Sequence, residues 1–359
     1  MAKPDAETGN PYLCGMTKPV LVLKFGTASI TKPNGEPNEP VMVDIARQVA
    51  ALHTRYRIVL VSSGAVGAGK SLIREYRGDI TQRKAAAAVG NLLLLNQYSR
   101  FFSIYGISIA QSLCERHHFA DRDQFLQLKQ TYEELWANDL IPIANENDVV
   151  SNRELKFSDN DELATLIAVG FGAEALMLCT SVGGLLDADG TIIREVKDFD
   201  ERIFGVVRTD KSSLGLGGMA SKLTFAKLAT RMGIRVVIFG LSEPDSIRRA
   251  LDREVGTEFT PQPTVLSARN RWLGSGSLAV GRVQIDAGAV RALQQRRSLL
   301  AVGVRAIVGE FATGEMIEIL DDEQKTIAVA RARISSETLA QQLNQQNVEV
   351  ANANDIVLL

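Results

Sequence analysis

Lys24 closes the otherwise apolar run Val20 to Phe25 and is followed almost at once by Gly26. A lysine there can offer a point charge to an anion while the glycine lets a ligand approach the backbone. Taken alone, the simpler reading is a lysine whose stem lies on apolar surface and whose ammonium reaches water. A second cation sits in Gly215-Leu-Gly-Gly-Met-Ala-Ser-Lys222. Glycines that open a helix leave backbone N–H groups free to hold phosphate, and a lysine in the first turns adds charge for the same anion. The spacing is not that of a Walker A loop, and a flexible surface loop accounts for the run about as well. The third cluster is acidic and amide-rich: Asn145, Asn147 and Asp148, then Asp159, Asn160 and Asp161. Asp159 reads as a helix cap, whereas Asp161 can cap and also orient two phosphate-binding lysines. The small residues of Ser62-Ser-Gly-Ala-Val-Gly-Ala-Gly69 fit either tight packing or a close-bound ligand.

These residues need a scaffold, and the sequence around them alternates short β-branched runs with helical patterns from Pro19 to about Thr260. That alternation predicts a parallel sheet with helices on its faces. Expected strands are Val20 to Phe25, Ile58 to Ser62, Ser108 to Ser112, Ile141 to Ala144, Ala175 to Thr180 and Arg235 to Phe239. Runs such as Ile58-Val-Leu-Val61 suit strands buried on both faces. Expected helices are Val41 to Arg55, Gln82 to Tyr105, Arg122 to Asn138, Asp161 to Phe171, Ser221 to Met232 and Asp245 to Leu251. In an open parallel sheet, ligands sit beyond the carboxyl ends of the strands. Lys24, Ser62 and Ser63, Asn145 to Asp148, and Thr180 to Gly184 all fall there.

Pro261 and Pro263 open a polar, basic segment read as a linker over 263–271, so the first domain is placed at 19–262 and a second at 272–359. The second has short alternating runs, Leu278 to Ile285, Ala301 to Val308, Met316 to Ile319 and Thr326 to Ala332, with a helix near Ala287 to Arg296. This texture predicts a small, strongly bent, barrel-like β-domain. Residues 1–18, with Pro4, Gly9, Asn10 and Pro11 and no apolar stretch, read as a flexible leader rather than a signal peptide.

A chain with 45% hydrophobic and 23% charged residues is an ordinary globular protein, and its formal charge of −2 shows no basic excess for nucleic acid. Three scattered cysteines, Cys14, Cys114 and Cys179, form neither metal spacing nor a disulfide framework, which predicts a reducing, cytoplasmic setting. With only His53, His117 and His118, a histidine metal centre or a Ser-His-Asp triad has few ways to be built. No metal site formed by side chains is expected, nor a membrane span.

The motifs Val22-Leu-Lys-Phe-Gly-Thr27, Val61-Ser-Ser-Gly-Ala-Val66, Ile141-Pro-Ile-Ala-Asn-Glu-Asn-Asp-Val-Val150, Phe157-Ser-Asp-Asn-Asp-Glu-Leu-Ala164 and Leu216-Gly-Gly-Met-Ala-Ser-Lys222 together resemble the amino acid kinase family, and within it the glutamate 5-kinases. The stretch Phe101-Phe-Ser-Ile-Tyr-Gly-Ile107 adds to the match. Val283 to Ala289, Arg271-Trp272, Ser298-Leu-Leu300 and Val308 to Gly314 resemble the PUA domain that such enzymes carry.

The resemblance implies an open, mostly parallel α/β sheet sandwiched by helices, and ATP-dependent phosphorylation of the L-glutamate γ-carboxylate in proline biosynthesis. It implies that Lys24 and Lys222 meet the ATP phosphates and that Asp161 organises them. Ser63, Asp148, Asn160 and Asn145 would bind glutamate. Thr180, Ser181 and the loop Leu216, Gly217, Gly218, Met219, Ala220, Ser221 and Lys222 would lie by the nucleotide. Mg²⁺, proline as a feedback inhibitor, a homodimer or homotetramer and glutamyl phosphate reductase as a partner are implied in the same way. The sequence departs from the pattern in four places: Ser181 stands where an aspartate is usual, the following segment Val182 to Gly190 lacks the usual tyrosine and proline, Leu216 stands where a threonine is common, and Ala330 where a glycine is frequent.

A carboxylate acceptor with a reference pKa of about 4.3 is already ionised at neutral pH and needs no general base, which suits a chain poor in histidine. The competing readings are a kinase of the same family acting on aspartate, N-acetylglutamate, carbamate or a nucleoside monophosphate, and an RNA-binding regulator using Arg269, Arg271, Arg291, Arg296 and Arg297.

Overall fold

The computed structural model describes residues 18–150, 159–199, 203, 216–262, 279–343 and 345–358. The expected leader short of Lys18, the expected linker at 263–271 and the arginines Arg269 and Arg271 lie outside those residues.

The first part of the chain runs β1 (Val20–Phe25), α1 (Thr27–Ile30), α2 (Glu39–His53), β2 (Arg57–Ser62), α3 (Ala65–Gly69), α4 (Ile80–Ser103), β3 (Ile109–Cys114), α5 (His117–Ala120), α6 (Arg122–Ala137) and β4 (Ile141–Glu146). It continues through α7 (Asn160–Phe171), β5 (Ala175–Cys179), β6 (Glu195–Val196), α8 (Leu216–Arg231), β7 (Arg235–Phe239), α9 (Ser246–Leu251) and β8 (Thr257–Phe259). Its strands form one sheet in the order β3-β4-β2-β1-β5-β7-β8-β6. The described pairings are parallel except β7 with β8.

Side-chain parity divides the core. Val20 and Val22, with Val59 and Val61, pack into one cluster with residues of α6, α7 and α8. Leu21, Leu23 and Phe25, with Ile58 and Leu60, face α2, α4 and α9. The central strands are therefore apolar on both sides, which is why they read as continuous runs rather than alternations. Lys24 has the parity of Val20 and Val22 and so points toward α7 and α8.

Several boundaries differ from the sequence reading. The strand β4 extends to Glu146 because Asn145 and Glu146 keep pairing with Leu113 and Cys114 of β3. The helix α8 starts at Leu216 rather than Ser221, so Gly218 to Ser221 lie in its opening turns. The short α1, α3, α5, β6 and β8 carry too little periodicity to be read from sequence. Gly69 and Gly90 show that the far end of the small-residue turn serves packing. A Cβ at Gly90 would sit 1.7 Å from the Ala65 carbonyl oxygen, and one at Gly69 would sit 2.0 Å from that of Ala86. Only glycines let α3 and α4 come this close.

The C-terminal part contains β9 (Ala279–Ile285), α10 (Ala287–Gln294), β10 (Leu299–Leu300), β11 (Val304–Val308), β12 (Met316–Leu320), β13 (Thr326–Arg331), α11 (Ser336–Gln341), β14 (Glu349–Ala351) and β15 (Ile356–Leu358). Five strands make a sheet in the order β11-β9-β12-β13-β15, and β10 pairs with β14. The expected strand over Ala301 to Val308 is broken by a tight helical turn at Ala301–Gly303. One face of the larger sheet, with Ile317, Ile319, Ala328 and Ala330, forms its own core. Met316 and Val329 have the opposite parity and are buried in the first domain's cluster with Leu223 and Ala226.

Candidate active site

Four strand ends and two helix starts meet at one edge of the large sheet. Lys24 lies level with Val61 of β2 and Leu178 of β5. Ser63 carries β2 past its last residue, with its N–H donating to the Phe25 carbonyl at 3.0 Å. Gly64 then turns the chain into α3 with φ of 100°, a left-handed conformation that favours glycine.

The N-terminus of α7 straddles this edge. On one side, Asp161 Oδ1 lies 2.6 Å from Lys24 Nζ and Oδ2 lies 2.9 Å from Lys222 Nζ. Asp161 is 1% exposed, Lys24 5% and Lys222 7%. Two ammonium groups and one carboxylate leave a single net positive charge in a nearly dry setting, where charge interactions are strong. Gly26 adjoins it, and a Cβ there would lie 3.7 Å from Lys24 Nζ. On the other side, Asn160 Nδ2 donates to Ser63 Oγ at 2.9 Å and to Asn145 Oδ1 at 2.8 Å. Asn160 Oδ1 is buried and has no hydrogen-bond partner among the described residues. Consecutive residues of one helix start thus serve a cationic half and an amide half of the same site.

Asp159 does more than the capping expected of it. One carboxylate oxygen accepts the N–H groups of Asp161 and Glu162, at 2.8 and 3.2 Å. The other accepts the Ser221 hydroxyl. Asp159 therefore ties the start of α7 to the glycine-rich start of α8. Among the described residues nothing lies within 4 Å of where a Cβ would stand at Gly218, so the α8 opening offers space and backbone N–H groups to an anion. Thr180 directly follows β5, its N–H donating to the Phe239 carbonyl at 2.7 Å, and Ser181 is exposed beside it. Asp148 is half-buried in the turn that follows β4.

Sequence reasoning missed Glu162 and Asn91 around this edge, and it named Asn147 without giving it a role. Glu162 is 1% exposed and pairs with Arg116 at 2.7 Å, linking α7 to the turn after β3. Asn147 Nδ2 donates to Glu115 Oε1 at 2.9 Å, anchoring the turn that carries Asp148. Asn91, in mid-α4, accepts from Asn145 Nδ2 at 2.8 Å. A lone amide in the run Ala85 to Leu95 was the available signal for Asn91.

His118 Nδ1 accepts the Glu115 N–H at 3.0 Å, and burial beside His117 lowers its pKa. Burial pushes the Cys179 thiol up to about 11 and the Tyr98 phenol up to about 12. Among the described residues, no group of three His, Cys, Asp or Glu side chains is arranged to hold a metal ion. No described helix is long and apolar enough to cross a membrane.

Comparison with known proteins bears directly on this edge. Residues 19–240 match the amino acid kinase family and residues 281–352 match the PUA domain. The chain is 39% identical over 335 residues to a glutamate 5-kinase of Vibrio campbellii, spanning 89% of this chain and 87% of that one. It is 37% identical over 330 residues to a glutamate 5-kinase of Pasteurella multocida, spanning 89% and 90%. A glutamate 5-kinase of Haemophilus influenzae is 35% identical over 349 residues, spanning 94% and 95%. Among solved structures, carbamate kinase of Giardia superposes with a TM-score of 0.50 at 17% identity, covering 69% of this chain and all of that one, and it shares the fold. With a family match over more than half of its length and relatives aligned over about nine-tenths of both chains, this chain belongs to the amino acid kinase family.

Proposed function

We propose that the chain transfers the γ-phosphoryl group of ATP to the γ-carboxylate of L-glutamate, giving ADP and glutamyl 5-phosphate, a precursor of proline. The observation that carries this reading is the α7 N-terminus, which sets a carboxylate-bridged lysine pair beside a buried, partnerless amide oxygen. The lysines suit the phosphates, and the amide oxygen of Asn160 suits the ammonium of a free amino acid. The matched glutamate 5-kinases support the choice of glutamate within the family.

A γ-carboxylate oxygen attacks Pγ as the bond from Pγ to the β,γ-bridging oxygen breaks, and that electron pair leaves on ADP. No proton moves, so no base is needed. Catalysis of such a transfer rests on positioning and charge stabilisation. Lys24 and Lys222 offset the charge of the two approaching anions, Asp161 fixes the separation of the two ammonium groups, and the α8 N–H groups hold the phosphate chain. Thr180, Ser181 and Leu216 to Ser221 flank the nucleotide. Magnesium enters with ATP as part of the substrate, since this ion dehydrates reluctantly and keeps water and phosphate ligands.

Asp148, in the turn after β4 that also carries Asn147, is assigned to the glutamate ammonium. Asp148→Ala raises the KM for glutamate by roughly tenfold or more, the scale of a lost hydrogen bond to a charged group, with the KM for ATP little changed. Steady-state kinetics varying each substrate in turn check this, and an unmoved glutamate KM rejects the assignment.

The acceptor is tested by hydroxamate trapping of the acyl phosphate with glutamate, aspartate and N-acetylglutamate in parallel. ADP release is followed with carbamate and a nucleoside monophosphate. Glutamate should dominate, and added proline should inhibit. Preference for another acceptor overturns the proposal. The acyl phosphate is labile in water, which favours prompt consumption by a reductase and a cytoplasmic setting.

A homo-oligomer is supported by Ala85, Ala88 and Leu92, which are exposed on one side of α4, Leu92 at 61%. Leu92→Glu halves the sedimenting mass if this stripe is the contact, and an unchanged mass rejects it. The C-terminal domain offers mixed support for an RNA role. Arg291, Arg296 and Arg297 are exposed, yet the groove between the 309–315 loop and α11 is lined by Glu310, Glu315 and Glu337, a sign unsuited to phosphodiesters.

A further inference from the structure

The amide half of the site is ordered from behind, by a residue outside it. An amide group can be turned either way, and its sense is fixed by a neighbour that can only donate or only accept. Here the fixed neighbour is the backbone N–H of Glu146, which donates to Asn145 Oδ1 at 2.9 Å. Asn145 must therefore direct its amino group the other way, where Asn91 Oδ1 receives it at 2.8 Å. The same Asn145 Oδ1 takes the amino group of Asn160 at 2.8 Å. With its amino group committed to Asn145 and Ser63, Asn160 is left presenting a buried carbonyl oxygen. One backbone donor thus sets the direction of three amides in series.

Asn91 is the far end of that series, 7% exposed in mid-α4. It lines a narrow cleft with Ser62, Tyr98, Gln111 and Ile143, and its Nδ2 has no hydrogen-bond partner among the described residues. Nothing in helix packing asks for an amide here, because its buried helix neighbours are Ala87 and Leu94. Without Asn91 Oδ1, the amino group of Asn145, itself 6% exposed, would lose its acceptor in a nearly dry setting. Turning Asn145 over would instead bring two donors together at Glu146. Losing the Asn91 bond loosens Asn145, and turning Asn145 over removes the acceptor oxygen that holds Asn160.

We infer that Asn91 is a positioning residue for the acceptor site: through Asn145 it holds Asn160 so that its carbonyl oxygen meets the ammonium of a free α-amino acid. The inference rests on the reading that Asn160 contacts the amino-acid substrate. It gives α4 a part in choosing an acceptor with a free ammonium.

The test is steady-state kinetics of Asn91→Leu, with Asn91→Ala beside it as the decisive variant if the leucine does not fold. Each is also combined with Asn160→Ala. The expected result is a rise of tenfold or more in the KM for glutamate, with the KM for ATP moved less than about twofold. The same change should have less than about a twofold effect once Asn160 is already alanine, because coupled residues do not add. Asn91→Asp keeps an acceptor oxygen in place and should recover most of the lost glutamate affinity. Parallel rises in both KM values, an unmoved glutamate KM, or an equal penalty with and without Asn160 overturns the inference. The wild-type hydroxamate assay separates the two levels: no glutamate-dependent product overturns the substrate reading itself, whereas normal wild-type activity with an inert Asn91 overturns only this inference.

Discussion

Lys222→Ala lowers kcat by roughly 10²- to 10³-fold, the cost of losing one pre-placed charge that acts on the transition state, while the KM for glutamate moves less than about threefold. The split follows from where Lys222 stands. Its ammonium is on the cationic side of α7, held 2.9 Å from Asp161, while the amide groups proposed to hold glutamate lie on the other side. The fold should tolerate the change, because Asp161 keeps Lys24 as a partner at 2.6 Å. Lys197, 72% exposed in its pairing with Glu195, is the control. A loss of turnover no greater than that of Lys197→Ala would remove Lys222 from the chemistry.

Asp161→Asn is expected to damage stability as well as turnover. The substitution keeps the shape but leaves the ammonium groups of two buried lysines, residues 5% and 7% exposed, facing a neutral amide. Removing one partner from a buried ionic cluster costs about 3–5 kcal/mol. For a domain of this size that corresponds to a fall in Tm of roughly 10 °C. Added ATP should recover more of the Tm in the variant than it adds to the wild type, since the phosphates restore the missing negative charge and a ligand stabilises the state that binds it. Differential scanning calorimetry with and without nucleotide reads both effects. A Tm unchanged in both conditions would mean that the lysines do not depend on Asp161.

The sheet was legible because its central strands are apolar on both faces, a pattern that survives without any knowledge of neighbours. Lys24 and Asp161 were legible for a related reason: each is a charge at the end of an element that should otherwise be apolar or merely capped. Asn91 was not, since a mid-helix amide carries no local sign of a partner 54 residues away. Asp159 was half legible. Its capping follows from local sequence, but its bond to Ser221 joins two helix starts separated by 62 positions, and only the fold brings them together. The start of α8 was placed late because glycines argue against helix on propensity alone, whereas a helix opening tolerates them and gains room for a ligand. The turn Ala65 to Gly69 shows the converse, where the space beside Gly69, which could have lined a ligand, is filled by the backbone of α4.

Met316 and Val329 give the C-terminal domain a role that its own fold does not require. They leave their sheet on the side away from its core and are buried with Leu223 and Ala226 of the helix that carries Lys222. Cutting the chain between the two matched regions would thus bare oily surface on both fragments, so the appended domain is a wall of the catalytic half rather than a detachable passenger.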